Sequence, residues 1–168
     1  VAMRQIEPQL VQEMVKAGCV LIDNQQDIQR LVDLTVLPNG TPNKKFVGKN
    51  ASVILDAAHI PYNGDPRLII MRTPKDHPFA VIEMLMPILP VVTVDSFDEG
   101  LDVCLMLEAG LHHTATMHSL NMERLNRMAR KMKTSIFVKN GPSYAGLGFS
   151  GEGTTTFTIA TPTGETTT

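Results

Sequence analysis

A layered α/β fold, with helices over both faces of a mostly parallel sheet, is the architecture this sequence predicts, and two observations carry it. Short, apolar, β-branched stretches such as RLIIM (67–71) and ILPVVTV (88–94) read as strands covered on both faces. From residue 88 to residue 139 the order then runs strand, helix, strand, helix, strand. Crossovers of that length join parallel strands through right-handed connections, which produces a three-layer sandwich.

The elements follow in order from local signals. PQLVQEMVK, from Pro8, sets Leu10, Val11 and Met14 at helical spacing, with proline early and Gly18 just past the end. Asp23 or Asn24 caps a second helix whose Ile28, Leu31, Val32 and Thr35 share a stripe. PNGTPNKK (38–45) is a loop, and a short third helix enters near Asn50. After the two strands, DSFDEGLDVCLMLEAG begins at an Asp95 or Ser96 cap and ends at Gly110. It is apolar on nearly all sides, so a buried helix is expected. TATMH is a strand, and SIFVK another. Between them lies a helix capped by Ser119, with Met122, Leu125, Met128 and Met132 inward. The threonine-rich end reads as one strand near Thr156 to Ala160 and a frayed terminus, the strand lying on a sheet edge or crossing to another subunit.

Composition sets the frame. The 168 residues, 43% hydrophobic and 19% charged, suffice for one α/β domain over 1–168. Its parts are a helical lead-in (1–45), a core (46–155) and a terminal strand and tail (156–168). Fifteen basic and seventeen acidic residues leave a net charge of -2, which directs the chain neither to nucleic acid nor to a membrane surface. Pro87 and Pro90 cut the longest apolar run below the ~18 to 20 residues of a membrane helix. Cys19 and Cys104 sit in apolar contexts without metal-like spacing, as reduced thiols of a cytoplasmic protein do. The opening VAMRQIEPQL lacks an initiator Met and the regions of a signal peptide, and reads as a cut start.

Several motifs are weaker than they look. GLGFSG, Gly146 to Gly151, matches G-x-G-x-x-G, but the EGTTTFTIA that follows prefers β structure. A dinucleotide loop needs a helix N-terminus facing the pyrophosphate, so the fingerprint is rejected in favour of a turn needing positive φ or close backbone approach. Arg124, Arg127, Arg130, Lys131 and Lys133 form the solvated face of an amphipathic helix, without the aromatics that nucleic-acid binding uses. His112 and His113 point to opposite sides of an extended segment, which argues against a three-histidine metal site with His118. One histidine at this junction can still carry a proton near neutral pH. Neither cysteine has a cationic neighbour in sequence to stabilise a thiolate, and no G-x-S-x-G elbow replaces them.

Three longer stretches carry a resemblance. HPFAVIEMLMPILPVVTVDSFDEGL, LEAGLHHTATMHS and TSIFVKNGPSYAGLGFSGEGTTTFTIATPTGE resemble the C-terminal part of aldehyde dehydrogenases. Within that superfamily they are most similar to the CoA-acylating propionaldehyde and acetaldehyde dehydrogenases of propanediol and ethanolamine utilisation microcompartments. The likeness runs from about Val47 to the end, and the first 45 residues match only in helical character. It implies the Rossmann-like topology of an aldehyde dehydrogenase catalytic domain, NAD and coenzyme A as cosubstrates, and a short aldehyde as substrate. It also implies a homo-oligomer in a bacterial cytoplasm, inside a microcompartment, with shell proteins or a co-encapsulated alcohol dehydrogenase as neighbours.

The resemblance also assigns residues. Glu83, with Pro87 four positions on, matches a Glu-x-x-x-Pro element whose glutamate accepts hydrogen bonds from the nicotinamide ribose hydroxyls. Leu85 falls where the family commonly places Phe beside the nicotinamide. A glutamate paired with Lys75, Arg72 or His77 is the plainer reading of Glu83. His113, in HHTA, falls where CoA-acylating members place a histidine that donates near the thioester or acts as general base. Gly141, Pro142, Ser143 and Tyr144 match the loop lining the acyl pocket. The family's cofactor domain, nucleophilic cysteine and oxyanion-hole asparagine are expected upstream of Val1, so this chain alone is expected to be inactive. The last residues, PTGETTT, depart from the Pro-Thr-Gly-Glu-Gly of related sequences. The competing reading is a noncatalytic oligomerisation module derived from the same fold.

Overall fold

A computed structural model describes residues 1–148. The chain divides into a first compact unit, Val1–Ser96, and a second that begins at Phe97. Among the described residues every strand ladder is parallel. The terminal strand near 156–160 and the tail to 168 lie outside the described residues.

In the first unit β2 (Cys19–Leu21), β3 (Leu68–Arg72) and β4 (Ile88–Val91) form one sheet in that order. Alternation along β3 explains why it is apolar throughout. Ile69 and Met71 face a core shared with Leu31, Ile54, Leu55 and Phe79, while Ile70 faces a second core with Ala2, Val11 and Val91. The first core is built on α2 (Gln25–Thr35), α3 (Ala51–Ala57) and α4 (Pro78–Val81), the second on α1 (Glu7–Lys16), so helices cover both faces as expected. Asn24 settles the cap of α2, its side chain accepting from the Gln26 N–H at 2.9 Å. At the end of the same helix, buried Thr35 satisfies its hydroxyl by donating to the Leu31 carbonyl at 2.6 Å.

ILPVVTV is not one strand. It divides into β4 and β5 (Thr93–Val94), and β5 pairs with β1 (Ala2–Met3), an element the sequence did not announce. The change of partner follows from a long-range pairing. Ala2 and Arg4 donate to the carbonyls of Val92 and Val94 at 2.8 and 2.9 Å. Pro90, which cannot donate, stands in β4 at the outer position of its sheet.

The second unit contains α5 (Phe97–Glu108), β6 (Thr114–Met117), α6 (Met122–Met132), β7 (Ile136–Lys139) and a 3-10 turn, Ser143–Leu147. Two expectations are corrected here. In α5 only Leu101 and Val103 are fully buried, while Leu105 and Met106 are 36% and 45% exposed, so hydrophobicity on all sides did not mean burial on all sides. The cap of α6 is Asn121, whose side chain accepts from Arg124 N–H at 3.0 Å, and Ser119 instead accepts from the Asn121 N–H. The helix starts two residues later, Met122 is exposed, and Leu125, Met128 and Met132 remain as the buried stripe.

Strands β6 and β7 pair in parallel, Thr114 opposite Ile136 and Ala115 opposite Phe137. Ala115, Met117 and Phe137 pack with Leu101, Met128 and Met132 of the two helices. The alternate residues Thr114, Thr116 and Ile136 therefore face the other way. The chemistry gathers on that face. No helix among the described residues is long and apolar enough to cross a membrane.

Candidate active site

His113 stands at the entrance to β6, held there by backbone bonds on both sides of the step from loop to strand. Ser135 N–H donates to the His112 carbonyl at 2.9 Å and Ile136 N–H to the His113 carbonyl at 3.1 Å. His112 takes a left-handed backbone (φ 52°), and its Nδ1 lies 3.2 Å from the Met132 carbonyl. Glu108 caps the end of α5 by accepting from Gly110 N–H at 3.0 Å and from His112 N–H. The two adjacent histidines thus part company, His112 to the helix end and His113 to the open face of β6. Its Nδ1 is 2.6 Å from the Thr114 hydroxyl.

That face walls a cavity of about 560 Å³ lined by His113, Thr114, Thr116, Ile136, Ser143, Tyr144 and Leu147. Three of the sequence-assigned residues, His113, Ser143 and Tyr144, thus meet in one place. Gly141 and Pro142 lead into it rather than lining it, Pro142 standing in extended backbone just before the 3-10 turn. Asn140 pins the loop by bonding Ser119 through both ends of its amide, at 2.7 and 3.0 Å, and Thr116 reaches Ser143 hydroxyl to hydroxyl at 3.2 Å. The first part of the glycine motif serves this wall. A Cβ on Gly146 would collide with the Ile136 Cγ2 methyl, and Gly148 closes the turn at φ 96°. Both features suit a turn of close approach; the rest of the motif, from Phe149, is outside the described residues.

Sequence reasoning missed Thr114, Thr116, Ile136 and Leu147. The alternation T-A-T-M did carry a signal, since polar residues at every second place of a strand mark a face not packed on the core.

Glu83 and Leu85 belong to the first unit, in the irregular segment between α4 and β4. Glu83 is exposed, and among the described residues no hydrogen bond or ion pair engages it. Arg72, one suggested partner, is committed to Glu7 at 2.8 Å and to Asp23 at 2.9 Å. His77, another, caps α4 by accepting from Phe79 N–H at 3.2 Å, and burial holds its imidazole below the usual range against the opposing pull of Asp76. Leu85 takes a left-handed backbone (φ 54°), is 60% exposed and accepts from Gly48 N–H at 3.1 Å. With Lys49, Arg67, Met86 and Pro87 it borders a cleft of about 530 Å³.

Neither thiol is an activated nucleophile. Burial pushes both Cys19 and Cys104 up, the reverse of what a thiolate needs. Among the described residues no three His, Cys, Asp or Glu side chains gather as a metal site.

No protein-family model matches the chain. It is 52% identical over 164 residues to a propanal dehydrogenase (CoA-propanoylating) of Citrobacter freundii, covering 97% of this chain and 35% of the relative. The structure of Rhodopseudomonas palustris propionaldehyde dehydrogenase with bound propionyl-CoA superposes with a TM-score of 0.91 at 44% identity, covering 98% of this chain and 36% of that one. An engineered glycolyl-CoA reductase with bound NADP+ matches with a TM-score of 0.91 at 43% identity, over 98% of this chain and 37% of its own. A propionaldehyde dehydrogenase from the Clostridium phytofermentans fucose utilisation microcompartment matches at 0.88 and 39%, over 95% and 36%. The chain spans about a third of the length of the curated relatives it matches.

Proposed function

We propose that this chain, homologous to a segment of the CoA-acylating aldehyde dehydrogenases, is the C-terminal part of an enzyme converting a short aldehyde such as propionaldehyde to its acyl-CoA. The observation that carries the reading is the meeting of His113, Ser143 and Tyr144 on one cavity, with Ile136 and Leu147 supplying apolar wall for a short acyl chain.

NAD supplies the hydride acceptor and coenzyme A the acyl acceptor of the overall reaction. Residues of this chain serve each. Glu83, an exposed carboxylate with both oxygens available to a vicinal diol, binds the nicotinamide ribose, and Leu85 offers an apolar surface beside it. The acceptor oxygens fit that group, although Leu85 contributes no ring. His113 takes or returns a proton at the thioester step, and the loop from Gly141 to Tyr144 shapes the acyl site. With both thiols pushed up by burial, the covalent step falls to a cysteine elsewhere in the protein, together with the oxyanion donor. Its own cofactor domain is then a partner of this segment. The setting is a homo-oligomer in the cytoplasm, inside a microcompartment beside shell proteins or an alcohol dehydrogenase; of this, a relative from a fucose utilisation microcompartment supports the microcompartment.

A second reading, a noncatalytic assembly module, draws on the exposed Leu105, Met106 and Leu111. The two are separated by assaying CoA-dependent propionaldehyde oxidation by the complete gene product. Formation of propionyl-CoA with matching NADH supports the enzyme, and none from a folded complete protein refutes it.

A further inference from the structure

We propose that Thr114 is the positioning residue for His113, holding the rotation of its imidazole for the CoA step. The inference rests on the reading that His113 carries a proton in that step, and it adds a role for a residue not assigned above.

The geometry is built from three constraints. The backbone of His113 is held by Ile136 N–H at 3.1 Å, so what is left to fix is the rotation of the side chain. Thr114 pairs with Ile136 in the parallel ladder, and its β-branched side chain has little χ1 freedom, which keeps its hydroxyl in place. That hydroxyl lies 2.6 Å from His113 Nδ1 on the same cavity wall. Thr114 also shares its strand face with Thr116, whose hydroxyl contacts Ser143, so the wall is tied to the 3-10 turn opposite.

A hydroxyl oxygen can accept from Nδ1–H, and in that tautomer Nε2 is the basic nitrogen. Nε2 takes the proton of the CoA thiol as its sulfur attacks the acyl-enzyme carbonyl; the bond to the enzyme cysteine breaks, and that sulfur leaves as thiolate. The imidazolium returns its proton to solvent. An imidazole without the Thr114 contact would be held less firmly in this orientation, which lowers the rate of this step without altering how CoA binds.

The test uses the complete enzyme and separates its half-reactions. Acyl-enzyme formation is read from the single-turnover burst of NADH without CoA, and acyl transfer from steady-state turnover with CoA. Thr114→Val keeps the shape and removes the hydroxyl; it is expected to lower kcat for transfer about five- to tenfold, more than it lowers the burst, with KM for CoA near its original value. Thr114→Ser, which restores the hydroxyl, is expected to recover most of the loss. Transfer unaffected in Thr114→Val while His113→Ala loses it selectively overturns this inference alone. Equal loss of both half-reactions in Thr114→Val, unrelieved by serine, assigns Thr114 to structure and also overturns it. A His113→Ala enzyme that transfers acyl groups normally overturns the underlying reading of His113 and this inference with it.

Discussion

Arg72, at the end of β3, donates from Nε to the Glu7 carboxylate at 2.8 Å and so joins the central strand of its sheet to the first turn of α1. Glu7 is nearly buried, with 9% of its side chain exposed, whereas Arg72 is 43% exposed and also reaches Asp23. The carboxylate therefore depends on the guanidinium more than the reverse. Arg72→Met is expected to destabilise the first unit by about 1–2 kcal/mol, less than a fully buried pair because solvent screens the arginine. Denaturant unfolding checks this, and adding Glu7→Gln should recover part of the loss. Additive losses in the double variant would show that the two residues are not coupled.

Gly146 is packed where no side chain fits, since a Cβ there would collide with the Ile136 Cγ2 methyl. Isoleucine at a strand position has few rotamers to retreat into. Gly146→Ala should cost about 1–3 kcal/mol by overpacking and also narrow the cavity that Ile136 lines. Thermal melting reads the first effect, and a shift in preference toward acetaldehyde over propionaldehyde reads the second. An unchanged melting temperature would mean that the turn moves aside freely.

Acid should weaken the α4 cap. Burial favours neutral His77 and holds it below the ordinary value of 6.5, and its Nδ1 accepts the Phe79 N–H only while unprotonated. As pH falls below that value the unfolded chain takes up the proton first. The contribution to stability is complete above the unfolded value and is lost as pH falls from there toward the folded one. His77→Asn keeps a capping oxygen that does not titrate. The drop in melting temperature between about pH 7.5 and about pH 5.5 should be smaller in that variant. An identical drop would place the acid sensitivity elsewhere.

Glu83→Gln in the complete enzyme replaces one of two acceptor oxygens by a donor. Affinity for NAD(H) should fall about tenfold or more if the carboxylate holds the ribose diol. Cofactor titration and the hydride-transfer rate check the assignment, and no change in either would remove it.

His113→Ala is expected to slow acyl transfer to CoA by about a hundredfold, as loss of a proton carrier does, and to slow acyl-enzyme formation less. Equal loss in the two half-reactions would return His113 to a structural role.

The periodic elements and the family likeness were legible in the sequence. Pattern at periods of 2 and 3.6 depends only on near neighbours, so α1, α2, β3, β6, α6 and β7 could be placed from their own residues. The wording around Glu83, His113 and the 141–144 loop was specific enough to carry a resemblance, which comparison with relatives at 52% identity then matched. What depended on distant partners was not legible. β1 exists because Ala2 meets Thr93, and the division of β4 from β5 follows from that pairing. The shift of the α6 cap from Ser119 to Asn121, and the exposure of Leu105 and Met106, were decided by what each side chain had to pack against. Likewise no spacing in the chain joins His113 to Tyr144 across thirty-one positions. The parallel register of β6 with β7 does so, bringing the strand end, the following turn and the hydroxyl of Thr114 onto one wall.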